Sequence, residues 1–302
     1  MTKIRIVTHN AGFHADDVFG VATLMLLLGE ENVEVFRTRD PEIIASGDYV
    51  LDVGDVYDPE RNRFDHHQRG GSGARENGIP YAAFGLIWKK FGADVAGSAE
   101  LAEIVDAELV QSIDAGDNGV NLFDVVHPSK ARPVLIGSAI ALFEPAWGEE
   151  RDYDPAFVEA VAFAKQFLIH KIRHTKANQL AADIVQKAYE AAPRKELIIV
   201  EAPSPISRAL ITNVLSDYPD TLMFVRQHEN SSWQAVCVSE RDNYFSRRKA
   251  LPESWAGKRD EALVEATGVA DAIFAHNGRF MAVATSKEGA LKLAELALQA
   301  DN

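Results

Sequence analysis

Cysteine is nearly absent: Cys237 is the only one in 302 residues. A disulfide within the chain and a thiolate zinc cage are both excluded. Its setting, Ala235-Val236-Cys237-Val238, reads as a strand, so we take it as a small core hydrophobe and not a nucleophile. Long apolar runs are also missing. The greasiest stretch, Val18 to Leu28, is broken by Gly20 and Thr23, and it is shorter than the roughly 20 residues that cross a bilayer. The first residues, Met1-Thr2-Lys3-Ile4-Arg5-Ile6-Val7-Thr8, carry no basic patch followed by an apolar core, so no secretory leader is read there. These features lead us to expect a cytoplasmic chain without membrane contact. Positive charge is scarce, with 31 Lys and Arg against 45 Asp and Glu and a formal net charge of −14. Such a surface repels long polyanions, which argues against a protein that coats duplexes. It leaves open an enzyme that neutralises its own carboxylates with metal ions and acts on short phosphate-bearing substrates.

What is present is ordinary globular composition, 47% hydrophobic and 25% charged, in a length that suits one large or two moderate domains. The acidic excess is one-sided. Residues 1–150 carry 12 Lys and Arg against 25 Asp and Glu, whereas residues 151–302 carry 19 against 20. The first half alternates strand and helix signals. Ile4–Val7, Val33–Phe36 and Tyr49–Leu51 are β-rich, and Val18, Val21, Ala22, Met25 and Leu28 recur at helical spacing. Asp40-Pro41 opens a short helix, with Asp as cap and Pro at its first position. Strands separated by helices imply right-handed crossovers and a mostly parallel sheet. Further helices are expected near 80–91, 98–112 and 133–143. A long polar helix follows, about Pro155 to Ala191, then strands at Leu197–Val200, Thr221–Val225, Ala235–Val238 and Phe280–Ala284, and a closing helix over Lys287–Gln299. Asn230-Ser231-Ser232 marks a hairpin. The expected fold is α/β: an N-terminal, mostly parallel-sheet domain over 1–150, a connecting helix over 151–195, and a smaller C-terminal α/β domain with a mixed sheet over 196–302.

Chemistry concentrates in the first half. Thr8-His9-Asn10-Ala11-Gly12-Phe13-His14-Ala15-Asp16-Asp17 lies just past the first strand, where ligands collect in open α/β sheets. Two imidazoles and a carboxylate there suit a metal, although an aspartate at a helix start, Asp17 above all, also serves as a cap. Asp52 ends a buried-looking strand and points into the same crevice. In Arg63-Phe64-Asp65-His66-His67-Gln68 one imidazole could ligate metal while its neighbour faces substrate or backs the ligands. Asp114 or Asp117, in Asp114-Ala115-Gly116-Asp117-Asn118-Gly119, could complete the set. Carboxylate and imidazole without thiolate favour Mn²⁺, Fe²⁺, Mg²⁺ or Zn²⁺. Six or seven ligands exceed what one ion with an open position needs. They suit two ions about 3.5–4 Å apart that share a carboxylate, the arrangement used for phosphoryl displacement.

The ordered set His9, His14, Asp16, Asp52, Asp65-His66-His67 and Asp114/Asp117 resembles the four motifs of the DHH phosphoesterase superfamily, which includes family II pyrophosphatases and the RecJ exonuclease. With Asp52-Val53-Gly54, Tyr57-Asp58-Pro59 and the distal Leu251-Pro252-Glu253-Ser254-Trp255-Ala256-Gly257, the chain is similar to the MYG (melanocyte proliferating gene) family from about residue 3 to 298. The resemblance implies a DHH-type catalytic domain and a metal-dependent hydrolase, with manganese as the expected ion and 3′–5′ exonuclease activity on RNA. It implies that His9, His14 and Asp52 hold one ion and that Asp16, Asp52, His66 and Asp117 or Asp114 hold the other. His67 would meet the phosphoryl group or stand behind the ligands, and Asp65 would orient the histidines. His14 stands where the wider superfamily more often has aspartate. In the superfamily a smaller C-terminal domain reads substrate, for which Arg247, Arg248, His276, Gly278 and Arg279 are the candidates here.

The function expected is therefore a phosphodiesterase, a 3′–5′ exonuclease on short single-stranded RNA or DNA that uses two divalent ions, with self-association compatible. The alternatives are a phosphohydrolase of pyrophosphate or a nucleotide, and a non-catalytic module that binds metal or nucleotide. Metal-dependent amide hydrolysis fits the ligand types but not the order of the segments.

Overall fold

The computed structural model describes residues 2–124, 129, 132–241 and 243–300. Contacts divide the chain into two compact units, Met1–Lys176 and Ala177–Asn302. The dividing point falls inside one 39-residue helix, Tyr153–Ala191. No helix among the described residues is long and apolar enough to cross a membrane.

The first unit opens with β1 (Ile4–Thr8), α1 (Ala15–Leu28), β2 (Val33–Arg37), α2 (Pro41–Ser46), β3 (Tyr49–Leu51), β4 (Tyr57–Asp58) and β5 (Arg63–Phe64). It continues with α3 (Ala83–Ala96), α4 (Ala99–Val105), a π turn over Asp106–Val110, α5 (Gln111–Asp117), α6 (Ile136–Ala141) and the long α7 (Tyr153–Ala191). The sheet order is β2-β1-β3-β5-β4. β1 runs parallel to β2 and β3, and β3 runs parallel to β5; only β4 is antiparallel. The mostly parallel sheet expected from sequence is therefore present. As expected, Asp40 caps α2, accepting the Glu42 N–H ahead of Pro41. In α7, Phe157, Ala160, Val161, Ala164 and Leu168 are buried, a stripe at helical spacing that packs on the core of this unit.

The second unit contains β6 (Leu197–Val200), α8 (Arg208–Leu215), β7 (Met223–Gln227), β8 (Trp233–Cys237), β9 (Ser239–Glu240), β10 (Asn243–Arg247), α9 (Asp260–Thr267), β11 (Ala272–Ala275), β12 (Met281–Ala284) and α10 (Lys287–Gln299). Its main sheet runs β11-β12-β8-β7-β6. Only β6 and β7 pair in parallel, so the sheet is mixed. Alternation sorts its two faces. Met223, Val225, Ala235 and Cys237 pack with α10, while Ile198, Phe224 and Val236 pack with α8 and the end of α7. Cys237 is buried, and burial pushes its thiol up to about 12, which suits a core residue and not a nucleophile.

Gly20 ties α1 to the sheet beside the functional edge. A Cβ there would lie 2.6 Å from Leu51 Cδ1 and 3.0 Å from Ile87 Cδ1. The helix can approach β3 this closely only because the side chain is missing. Gly20→Val is expected to overpack this contact and cost about 1–3 kcal/mol. Chemical denaturation checks this, the expected result being a lower midpoint at unchanged slope.

Candidate metal centre

β1, β3 and β5 are adjacent and parallel, so their C-terminal ends open on one edge of the sheet. The residues immediately beyond those ends are His9, Asp52 and Asp65-His66-His67. Neighbouring strands are about 4.8 Å apart, so sequence-distant side chains meet there. Asp52 turns inward with φ 53°, a left-handed conformation that aspartate tolerates better than most residues and that recurs at functional sites. The β1–α1 loop is pinned from β2 and beyond. Arg39 donates to the Asn10 carbonyl at 2.6 Å and its side-chain oxygen at 2.7 Å, while Arg37 donates to the Ala11 carbonyl and stacks on Phe157.

Asp52 sits between two imidazoles. Its Oδ2 lies 3.2 Å from His9 Nε2 and its Oδ1 3.2 Å from His66 Nε2. His66 Nε2 is also 3.2 Å from Asp117 Oδ2 and 3.8 Å from Asp16 Oδ2. His14, largely exposed at the mouth, places Nδ1 3.5 Å from Asp117 Oδ1. Asp65 staples the histidine loop: its Oδ1 accepts from the His66 and His67 N–H groups and pairs with His67 Nδ1 at 2.8 Å, while its Oδ2 accepts the Asp55 N–H. Asp17 caps α1 by accepting the His14 N–H at 2.9 Å, and its other oxygen is 3.4 Å from His9 Nε2.

Donor atoms from His9, His14 and Asp52 lie within 4.8 Å of one another, as do those from His14, Asp16 and Asp117 and those from Asp52, His66 and His67. Both carboxylate oxygens of Asp16, Oδ1 of Asp52 and Nε2 of His66 are buried without a hydrogen bond. Some are within 3.2 Å of each other, but they are not aligned to bond. Buried acceptors left unpaired are costly, and a cation among them removes that cost. The oxygen and nitrogen donors fit Mn²⁺, Fe²⁺, Mg²⁺ or Zn²⁺.

Electrostatics agree with the geometry. Burial, with Asp52 and Asp117 nearby, holds Asp16 well above the usual carboxylate range. Burial also lifts Asp17, to about 7, against the pull of His9. Burial disfavours the charge of Asp52, but attraction to His66 and His9 outweighs it and holds the carboxyl at about 2. Burial likewise opposes the His66 imidazolium, yet Asp117 and Asp52 raise it to about 10.

The two aspartates of the fourth segment separate here. Asp117 joins the cluster and Asp114 does not. Asp114 is fully buried, accepts from Arg75 Nη1 at 2.8 Å and the Gly85 N–H at 3.0 Å, and is lifted to about 7 by burial against the pull of Arg75. Arg75 also grips Asp106 with Nε at 3.0 Å and Nη2 at 2.6 Å, locking the π turn and α5 to the loop that follows the histidines. A Cβ on Gly85 would lie 1.8 Å from Asp114 Oδ2. The sequence reading missed this clamp. Asn77-Gly78 signals a turn beside Arg75, but nothing local names its partners.

The candidates in the second unit are in varied employment. Arg248 donates to the carbonyls of Ser216 at 2.6 Å, Tyr218 at 2.5 Å and Thr221 at 3.0 Å. It therefore caps the end of α8, and its side chain is only 8% exposed; this corrects the expectation that its fork faces substrate. Arg279 Nε donates to the Leu251 carbonyl at 2.6 Å, again a backbone role. Arg247 lies over the Phe280 ring at 5.0 Å, His276 packs on the same ring at 4.2 Å, and Gly278 N–H donates to His276 Nδ1 at 2.9 Å.

A family model, MYG1_exonuc, described as Uncharacterised protein family (UPF0160), matches residues 5–298. The human MYG1 exonuclease is 30% identical over 325 residues, which cover 99% of this chain and 86% of that protein. A MYG1 protein of Schizosaccharomyces pombe is 29% identical over 317 residues, covering 98% of this chain and 97% of its own. Among solved structures, RecJ in complex with Mg²⁺ from Thermus thermophilus is similar, with 13% identity and a TM-score of 0.30, covering 98% of this chain and 50% of that one.

Two outcomes follow from the buried charges. His66, raised to about 10, holds a proton near neutral pH, and metal ions displace protons from their ligands. Calorimetry with Mn²⁺ at pH 6.5 in buffers of different ionisation enthalpy should therefore register net proton release, with affinity rising as pH rises; zero release would contradict the site. The two aspartates should also part ways. Asp117→Ala should remove most of the metal-induced rise in Tm, which is worth about 2.7 kcal/mol at a hundred times Kd. Asp114→Ala, which leaves Arg75 to Asp106 alone and the buried Gly85 N–H without its acceptor, should lower stability by about 1–3 kcal/mol with or without metal.

Proposed function

The chain belongs to the MYG1_exonuc family, and on that premise we propose that it is a divalent-metal phosphodiesterase that trims short single-stranded RNA or DNA from the 3′ end. The observation that carries the reading is the convergence of His9, Asp16, Asp52, His66 and Asp117, with orphaned buried oxygens, at one end of three parallel strands. The human relative's name, an exonuclease, supports the substrate class, and so does a surface too acidic to hold long duplexes. Mn²⁺ is the ion we assign, from the family resemblance and its fit to mixed imidazole and carboxylate donors, two per chain because six candidate ligands exceed what one ion with an open position needs.

His9, His14 and Asp52 would hold one ion; Asp16, Asp52, His66 and Asp117 would hold the other, with Asp52 shared. When bound, the ions supply Lewis acidity and a water of lowered pKa. The rest is done by the chain. Asp52 lies close to both histidines and fixes the spacing of the two halves. Asp65, bonded to His67 Nδ1, sets that ring's orientation and leaves Nε2 as the nitrogen that meets a phosphoryl oxygen. Asp65 also fixes the His66 backbone, so the ligand and the phosphate-facing ring move together. We place the activity in the cytoplasm, in keeping with a lone buried cysteine.

The test is a labelled single-stranded oligonucleotide incubated with Mn²⁺. Stepwise shortening from the 3′ end is expected, abolished by EDTA and reduced at least about a hundredfold by Asp52→Ala or His66→Ala, a loss of the size seen when one charge-stabilising group is removed. Full metal-dependent turnover in both variants would overturn the assignment. Phosphate release from pyrophosphate without shortening would favour a small-molecule phosphohydrolase.

A further inference from the structure

Beside the metal cluster, within the first unit, lies a cavity of about 400 Å³. His14, Asp16 and Asp117 form the wall it shares with the cluster. The other walls differ in character. Phe13, Ile113, Leu135 and Ile136 are apolar, and Ser112 and Ser138 are the hydroxyl-bearing side chains among the lining residues. Among the described residues, no lysine or arginine lines it. A phosphate placed there would face the carboxylates of Asp16 and Asp117, which disfavours the charged part of a nucleotide. Its size suits one neutral planar group with its sugar and not a duplex end.

We propose that this cavity receives the nucleobase of the nucleotide whose phosphodiester sits at the metal cluster. The proposal rests on the phosphodiesterase reading and extends it to what that site holds besides phosphate. Two further observations point to a ligand. Asp16 is fully buried, lines the cavity, and has both oxygens unpartnered, so a bound group continues directly from the ions it would hold. The facing helices also present small residues. Ser112 and Gly116 share a face of α5 one turn apart, and Gly137 and Ala141 do the same on α6. A Cβ built on Gly116 or Gly137 meets nothing within 4 Å. These glycines are not demanded by packing, and each leaves open space at the lining. Apolar walls bury a base's faces; Ser112 Oγ, whose proton goes to the Leu109 carbonyl at 2.8 Å, offers an acceptor, and the Ser138 hydroxyl can turn to donate or accept at the base edge. The selectivity expected is thus for a base over none, with little preference among bases.

The experiment uses the full chain with Mn²⁺ and two oligonucleotides that differ only in the 3′-terminal residue, one normal and one abasic. Wild type should turn over the normal end about tenfold or more better in kcat/KM, in line with what base stacking contributes at single-strand sites. Gly137→Leu and Ala141→Phe, which fill the cavity, should collapse that ratio toward one while the abasic end is still cut. Binding provides the same comparison without turnover: a nucleoside monophosphate should bind about tenfold tighter than ribose 5-phosphate, and Gly137→Leu should erase the difference. Equal handling of the two ends by wild type, or variants that retain the full ratio, would overturn the proposal. If neither end is cut, the phosphodiesterase reading fails, and the binding comparison still decides whether the cavity takes a base. Thermal melting guards against misfolding, because leucine at helical Gly137 should not lower the midpoint.

Discussion

Four aspartates, Asp16, Asp17, Asp52 and Asp117, converge on one small volume at the end of a parallel sheet, three of them almost wholly out of water. Two unit charges 4 Å apart interact by about 4 kcal/mol even at an effective dielectric constant near 20. Burial, with that repulsion, holds Asp16 well above the usual carboxylate range, and the carboxylates raise His66 to about 10 against its burial. The imidazoles of His9, His66 and His67 stand against Asp52. The neighbouring arginines are engaged elsewhere. Arg37 and Arg39 hold backbone carbonyls of the β1–α1 loop, and Arg75 is bound to Asp106 and Asp114. A set of donors so arranged is poised for external cations, and metal binding is the chemistry that relieves it.

That constraint explains how the two kinds of aspartate in this unit differ. Asp65 and Asp114 are as deeply buried as Asp52, yet their oxygens accept from backbone N–H groups or a guanidinium. They spend their charge on holding loops and helices in place. Asp16 and the inner oxygen of Asp52 accept from nothing. Burial alone does not separate a structural carboxylate from a ligand; the availability of its lone pairs does. The acidic excess of residues 1–150, puzzling as a surface property, is partly an interior feature.

Much of this was legible in the residues. Helix α2 was readable from Asp40-Pro41, α1 from its apolar spacing over Val18 to Leu28, and the closing helix α10 is found over the expected Lys287–Gln299. Parallel topology followed from alternating strands and helices, and it made the ends of β1 and β3 the place to look. The remainder depends on long-range partners. β4 and β5 are two residues each, too short to show a period, and they exist because β3 offers β5 an edge. Asp114 and Asp117 are three apart on one helix, so periodicity cannot choose between them; the choice is made by Arg75, 39 residues earlier. Arg248 looked like a phosphate ligand for want of any sign that the carbonyls after α8 needed a donor. Side chains that cap or clamp distant backbone leave no local pattern, whereas side chains that follow strand ends do.

The most direct measurement is anomalous diffraction at the manganese edge from crystals grown with Mn²⁺. The account predicts two peaks about 3.5–4 Å apart, with Asp52 between them, one near His9 and His14 and the other near Asp16, His66 and Asp117. Peaks confined to other parts of the surface, with this cluster showing none at saturating metal, would contradict it.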